Sequence, residues 1–543
     1  MKNMTKLHSS FIQFYLIPFI IFVAAFLLRV MWIGTYAGQD EVYYVGYASD
    51  ILHGKSFANV FPPLFEFIIL PLLWLTNENM MIVHIFMAVL GSLTVLFVYL
   101  IGRKFFNMWV GIVGALLLMF NTTHWFFSAF GMLDIPATLF ATSAIYFLWS
   151  GYTQRKEKLL LVGALLNVAA VFTRYTIFPS AALFGYWLLF DRSALRNKKL
   201  LLSVLLPFIV WGVWMIYFIT QVGWLWNWWL QYVTGQLSIN IPWYEYFRAV
   251  HYEFLLPILT FFSIFTSLFL IVNKIILSQY KRGLSYLFLI LFIGVTYYFS
   301  SYYFQPLTEA AIGFAAIALP AIYFFNISDI RKIFGKTHLQ YSDFNKFLIL
   351  LIATVFLFYS PLGVKFPRYV MAALPAIYLL IGELFYAIRQ YKLFLAAAVI
   401  VLVLFALTNA FDTINKLVVD KTINDVKFAS QKYINDNSPQ CSQVYSKTWY
   451  GFYYLRNRIT DLPADLNGLN SIIKSKCSCP PQYFIVEGAF DSKFLNMTTK
   501  DRSFQQDSIN FHLTWQGITS TPVPIAPVDV YKINDNVIMQ QCG

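Results

Sequence analysis

One loop of this 543-residue chain carries two adjacent carboxylates, in Gly38-Gln39-Asp40-Glu41-Val42-Tyr43-Tyr44. A carboxylate held near a reacting hydroxyl can accept its proton, although an acidic pair chosen at random is more often a solvated helix end. Two later segments repeat the theme. Phe130-Gly131-Met132-Leu133-Asp134-Ile135-Pro136 opens an apolar run with a lone acid, which by itself would read as a helix cap. Thr173-Arg174-Tyr175 sets an arginine between two apolar runs with no lysine beside it, so that snorkelling to lipid headgroups is its plain reading. Finally, Lys365-Phe366-Pro367-Arg368-Tyr369 supplies two more cations near a proline-bounded apolar run. Cations at a membrane surface suit an anionic partner, and a lipid phosphate is the obvious one.

The elements that must position these residues follow from composition. With 59% hydrophobic, 19% aromatic and 12% charged residues, the chain is too apolar for a water-soluble enzyme. Apolar runs long enough to span a bilayer occur near 11–33, 80–102, 109–127, 135–151, 159–176, 177–190, 200–220, 254–273, 283–300, 308–325, 347–361, 369–388 and 393–411, about 13 transmembrane helices. With the amino terminus inside, the inner loops hold twenty cations, among them Arg103, Lys104, Arg155, Lys156, Arg196 and Lys199, against Glu157, Asp191, Asp329 and Asp343. Outer loops are richer in acids, as the positive-inside bias requires. The net charge of +13 is therefore a record of topology and argues nothing for nucleic acid. Residues 1–33 read as an anchor, because the apolar run is too long for a removable signal peptide and no Ala-x-Ala site closes it.

The division expected is a transmembrane domain at 1–411 with a long first outer loop at 34–79, and an extracytoplasmic domain at 412–543. The loop contains a helical stretch from Tyr44 to Leu52, then Phe61-Pro62-Pro63-Leu64 and a semi-apolar piece to Trp74, both read as interfacial helices. After 411 the composition turns polar. A helical pattern at 413–434 and strands at 443–445, 483–486 and 528–533 indicate a small α/β unit. All four cysteines, Cys441, Cys477, Cys479 and Cys542, lie there, which favours disulfides on an oxidising side over zinc; of the three pairings, one with Cys477–Cys479 is the least favourable. Asn496-Met497-Thr498 is a glycosylation sequon. His53, His84, His124 and His251 could join nearby acids around a divalent metal. None has ligand spacing, so packing histidines are the plainer reading and metal stays open. Trp224, Trp226, Trp228, Trp229, Trp243 and Tyr244 suit an interfacial aromatic belt better than a sugar-binding wall.

In their order and sidedness, Asp40-Glu41 after the first span, Pro62-Pro63-Leu64 in the same loop, Asp134 in the second outer loop and Arg368-Tyr369 with Leu374-Pro375 near the last spans resemble the polytopic GT-C glycosyltransferases. This is the group of protein O-mannosyltransferases and lipid A aminoarabinose transferases. The resemblance implies an all-α polytopic membrane domain of the GT-C fold with a small C-terminal α/β extracytoplasmic domain. It implies a membrane enzyme of the cell envelope that moves a sugar from a polyprenyl-phosphate carrier to a lipid, glycan or protein acceptor. Asp40 then matches the base, Glu41 its neighbour, Asp134 the second-loop acid and Arg368 the Arg of the family's Arg-Tyr motif; Glu41 and Asp134 read as orienting or electrostatic residues, and Arg368 and Tyr369 as substrate-binding. Phe61 stands where the mannosyltransferases have His and where the aminoarabinose enzymes have Lys, so the phosphate-binding cation falls to Lys55, Arg174 or Lys365. The competing reading is a lipid or solute transporter, which would place ionisable residues inside its spans; here the spans are nearly free of charge. An oligosaccharyltransferase is disfavoured because Thr448-Trp449-Tyr450-Gly451 lacks the acid of that family's external motif.

Overall fold

The computed structural model describes residues 15–34, 39–54, 62–174, 176, 178–221, 342–359, 367–389, 392–439, 441–446, 459–461, 466–487, 498–504, 512–514, 517–519 and 528–542. The expected spans 254–273, 283–300 and 308–325, the tryptophan-rich segment 224–244, Lys55, Phe61, His251, Lys365, Trp449 and Asn496 lie outside them.

The first part of the chain is helical: α1 (Ile17–Val30), α2 (Gln39–Leu52), α3 (Leu64–Leu75), α4 (Met80–Phe105), α5 (Met108–Met119), α6 (Thr122–Phe127), α7 (Asp134–Gln154), α8 (Glu157–Arg174), α9 (Phe178–Phe190) and α10 (Lys198–Gln221). Further on come α11 (Asp343–Tyr359), a 3-10 turn (Pro367–Ala373), α12 (Leu374–Ile388) and α13 (Lys392–Asn437). Met80–Phe105, Lys198–Tyr217 and Arg368–Tyr386 are long and apolar enough to cross a membrane. Many large apolar side chains face outward, such as Phe19 at 65%, Leu189 at 63% and Leu357 at 73% exposure. A water-soluble fold would bury them, whereas lipid contact explains them.

Local signals set the breaks. The apolar run read as one span at 109–127 is two helices, because Asn121 interrupts it and caps α6 by accepting a hydrogen bond from the His124 N–H at 2.8 Å. Its amide then donates to the Tyr378 hydroxyl at 2.9 Å, and Thr122 donates to Asn409 Oδ1 at 2.8 Å, which ties α6 to α12 and α13. Asn107 caps α5 in the same way, accepting from the Val110 N–H at 3.1 Å. Where α4 meets α5, a Cβ on Gly102 would stand 2.4 Å from the Gly111 Cα, so only glycine lets these backbones touch.

Charge is segregated between the two ends of the bundle. At one end Lys104 donates to Ser150 at 2.6 Å, Tyr152 to Asp191 at 2.5 Å and Lys199 to Glu157 at 2.7 Å, alongside the basic runs at 103–104, 155–158 and 192–199. At the opposite end, the start of α4 and the turn before α7 meet Glu41 of α2, and the end of α8 meets the start of α7.

α13 runs unbroken through position 411 and ends against the C-terminal sheet. That sheet contains β1 (Val444–Ser446), β2 (Ile459–Asp461), β3 (Tyr483–Glu487), β4 (Thr498–Phe504) and β7 (Val528–Ile533) in the order β2-β1-β3-β7-β4; β5 (His512–Thr514) and β6 (Gly517–Thr519) form a separate hairpin. Pairing is parallel across β2-β1-β3 and antiparallel across β3-β7-β4. Strand alternation feeds two small cores. Val444, Tyr483, Ile485 and Val530 pack on Val426 and Ile434 of α13, and Tyr445, Phe484 and Ile533 pack on Leu469 and Ile473 of α14 (Leu466–Ser475). Disulfides Cys441–Cys479 and Cys477–Cys542 staple this sheet to α14 and to α15 (Asp535–Cys542). Peptide mapping without reduction should return these two links and no Cys441–Cys542 link. Replacing Cys441 and Cys479 together by Ser should lower the stability of this unit by about 2–4 kcal/mol.

Candidate active site

Four of the residues singled out in the sequence converge as two ion pairs. Asp40, in the first turn of α2, accepts from Arg368 Nη1 at 2.5 Å. Asp134, the first residue of α7, pairs with Arg174, the last residue of α8. α7 and α8 are antiparallel neighbours joined by a short turn, so the acid at the start of one and the arginine at the end of the other reach the same level.

The pairs share their surroundings. The Tyr369 ring lies 5.0 Å from the Arg174 guanidinium and 5.7 Å from that of Arg368, within cation–π range of both. Tyr359 stacks on Tyr369 with centroids 5.5 Å apart, and its hydroxyl accepts from Arg174. Phe127 of α6 lies 5.7 Å from Arg368 on another side. Tyr44 of α2 is buried near all four charges. Burial pushes its phenol well above the ordinary value against the pull of Arg174, so it stays a neutral hydroxyl. Tyr44 and Tyr359 escaped the sequence reading as site residues, because a tyrosine among 35 in an aromatic-rich chain carries no distinguishing signal.

The two acids differ in access. The Asp40 side chain is 41% exposed and that of Asp134 is 1% exposed. Only Asp40 is open to a second molecule.

Glu41 points elsewhere. It is fully buried, and its Oε1 accepts from the Gly131 N–H at 2.5 Å and faces His84 Nε2 at 2.7 Å. The sequence reading treated His84 as a packing histidine or metal ligand, and the structure instead pairs it with the second carboxylate of the tandem. His53 sits beside Glu78 and accepts or donates within its own helix end, and His124 contacts Arg29. Among the described residues no three His, Cys, Asp or Glu side chains gather as a metal site. Arg29 is fully buried in α1. Its Nη1 donates to the Ala25 carbonyl at 3.0 Å and its Nη2 to His124 Nδ1 at 2.9 Å.

A helical membrane bundle with carboxylates and arginines gathered at one end, followed by a small sheet unit, is the layout of a GT-C membrane protein. ArnT from Cupriavidus metallidurans bound to undecaprenyl phosphate superposes with a TM-score of 0.55 at 12% identity, over 96% of this chain and 98% of that one. Its apo form gives 0.53 at 11% identity over the same shares. A match to the S. cerevisiae Pmt1-Pmt2 complex bound to the sugar donor covers 37% of this chain and 33% of that one at 21% identity, with a TM-score of 0.33 too low to carry argument. The sequence family described as dolichyl-phosphate-mannose-protein mannosyltransferase matches residues 61–230, which include Asp134 and Arg174. No curated protein matches. The chain thus has the GT-C fold, and its residues 61–230 are similar to the dolichyl-phosphate-mannose-protein mannosyltransferase family.

The Asp134–Arg174 pair can be weighed directly. Removing one partner of a buried pair strands the other in a low dielectric at a cost of about 3–5 kcal/mol. Asp134→Asn should therefore destabilise the detergent-solubilised protein by roughly that amount, and adding Arg174→Gln should recover part of the loss. Additive effects in the double-mutant cycle would show that the two do not interact.

Proposed function

We propose that the chain moves a sugar from a polyprenyl-phosphate carrier to a hydroxyl or phosphate acceptor at the outer face of the membrane, inverting the anomeric centre. The observation that carries this reading is the unequal exposure of two otherwise similar acids. Asp40 stands open beside Arg368, while Asp134 is closed against Arg174. An open carboxylate next to a guanidinium places a proton acceptor and a phosphate ligand at one point, which is what glycosyl transfer from a phosphodiester requires.

The step balances simply for a hydroxyl acceptor. Asp40 takes the acceptor's proton as its oxygen bonds to the anomeric carbon. The carbon–oxygen bond to the phosphate breaks on the opposite face, and its electron pair leaves on the phosphate oxygen. A phosphate monoester is a good leaving group, so cations that neutralise its growing charge suffice, and one displacement inverts the centre. Arg368 and Arg174, with Lys55 or Lys365, hold the phosphate. Tyr369 positions both guanidiniums, Asp134 keeps Arg174 in place, and Glu41, held by the Gly131 N–H and His84, acts as an orienting acid at the start of α2. Mannose and other hexoses, or a pentose, are the sugars to test first. ArnT from Cupriavidus metallidurans was crystallised with undecaprenyl phosphate, which supports a polyprenyl carrier here.

Sidedness rests on charge and redox chemistry. The basic end of the bundle reads as cytoplasmic, and the acid-rich end with the disulfide-bearing sheet as extracytoplasmic. These features support an amino terminus inside and an enzyme of the plasma membrane. A membrane domain at 1–411 and an extracytoplasmic domain at 412–543 then share α13, whose first half lies in the bilayer and whose second half carries the sheet.

With a polyprenyl-phosphate sugar and cell-envelope acceptor, Asp40→Asn should fold normally and lose about 10²–10⁴-fold in transfer rate. The wild-type product should have the anomeric configuration opposite to the donor's. Wild-type transfer by Asp40→Asn, retention of configuration, or activity with nucleotide sugars alone would each overturn the reading.

A further inference from the structure

The Glu41–His84 contact contains a proton count that fixes its chemistry. His84 Nδ1 lies 2.7 Å from the Gly34 carbonyl oxygen. A carbonyl oxygen can only accept, so Nδ1 carries a hydrogen. A neutral imidazole with its hydrogen on Nδ1 has a bare lone pair on Nε2, and that atom faces Glu41 Oε1 at 2.7 Å. Two lone pairs do not bond. One further proton must lie between Nε2 and Oε1, and the couple is either imidazolium with carboxylate or imidazole with carboxylic acid. Both side chains are fully buried, and both forms carry no net charge.

Glu41 cannot be exchanged for its amide without breaking this arrangement. The same Oε1 also accepts from the Gly131 N–H at 2.5 Å. A glutamine oxygen there would oblige His84 to be a lone buried cation, and a glutamine NH₂ would meet the Gly131 N–H donor to donor. The site is built around a shared proton.

The shared proton ties three segments. Gly34 follows the end of α1, Glu41 is in the first turn of α2, and Gly131 lies in the turn before α7. Gly131 leaves no slack, since a Cβ there would stand 2.6 Å from Glu41 Oε1. Asp40 immediately precedes Glu41, and Asp134 follows Gly131 by three residues. The contact therefore sets the spacing between the two acids that hold Arg368 and Arg174. Because Phe130 also packs edge-on against the His84 ring, with centroids 6.1 Å apart, that turn is pinned from two sides.

We infer that His84 is a positioning residue for glycosyl transfer: through the proton it shares with Glu41 it fixes the Asp40 base relative to Asp134 and the two arginines. The inference rests on the reading of Asp40 as base.

Two substitutions separate its two hydrogen bonds. His84→Gln places an amide NH₂ where Nε2 was and keeps the donor to Glu41. His84→Asn places one where Nδ1 was, keeps the donor to Gly34 and strands Glu41. With a polyprenyl-phosphate sugar, measured per folded molecule by gel filtration, His84→Asn should lower kcat about 10- to 100-fold, the scale of an ångström-sized misplacement. KM for the donor should stay within about twofold, and His84→Gln should restore most of kcat. Gly131→Ala, which presses on the same oxygen from the other side, should reproduce the kcat loss, and it carries the test if the histidine variants fail to accumulate. Equal losses in Gln and Asn, a loss confined to KM, or wild-type kcat in Gly131→Ala would overturn the inference. The base and the lock fail separately. Wild-type transfer by Asp40→Asn overturns the base, whereas inactive Asp40→Asn alongside wild-type kcat in His84→Asn overturns the lock alone.

Discussion

A guanidinium at the end of a membrane bundle cannot be left without an acceptor, and this constraint organises the site. Removing a charge from water costs several kcal/mol unless a counter-charge and hydrogen bonds replace the solvent. Arg174 and Arg368 meet that demand with Asp134 and Asp40. Each pair joins segments distant in sequence or direction: α7 to α8 in one case, α2 to the 3-10 turn before α12 in the other. The helix ends must therefore lie at a common level. Tyr369 sets a single ring within cation–π range of both guanidiniums and so links the two pairs to each other.

Arg29 shows the alternative solution. It is as buried as a residue can be, yet among the described residues its hydrogen bonds go to neutral acceptors, the Ala25 carbonyl and His124 Nδ1. Because Arg29 can only donate, the His124 proton must sit on Nε2. The bundle thus holds one histidine as a hydrogen-bond acceptor for an arginine and another, His84, as a partner for a carboxylate. Neither was distinguishable by type or spacing in the sequence.

What was legible in the sequence follows from this physics. Asp134, Arg174 and Arg368 interrupt apolar or basic trends, and a charge out of place in a membrane chain signals a partner. Most helices of the described bundle were legible because they are apolar runs closed by polar residues. Asn121 was missed because the apolar run continues on either side of it, although an asparagine three residues before a potential first-turn N–H is a cap signal. α13 was read as a span followed by a separate helix, since composition changes at 411 while backbone hydrogen bonding does not. The disulfide connectivity depends on which strand lies beside which, information that no spacing contains. The contacts of His84 were hidden most completely: two of the atoms around its ring and its carboxylate belong to the backbone of Gly34 and Gly131, and backbone groups have no side-chain code.

The two ion pairs that look alike in sequence differ in what it costs to open them. A pair with substantial exposure contributes about 0–1 kcal/mol, because water compensates both partners when they separate; a buried one costs several times that to break. The Asp40 pair, with the acid 41% and Arg368 13% exposed, stands between the two kinds and nearer the first than the Asp134 pair, with the acid 1% and Arg174 17% exposed. In the proposed transfer, a carboxylate that releases an arginine to take a proton from an acceptor is served by the pair that opens at lower cost, and a scaffold that holds still during that exchange by the pair that opens at higher cost. The burial of Glu41 and His84 extends the same division one layer further in: the residue next to the exposed acid is held by a contact with no net charge, which can stay dry and closed beside a neighbour that faces water.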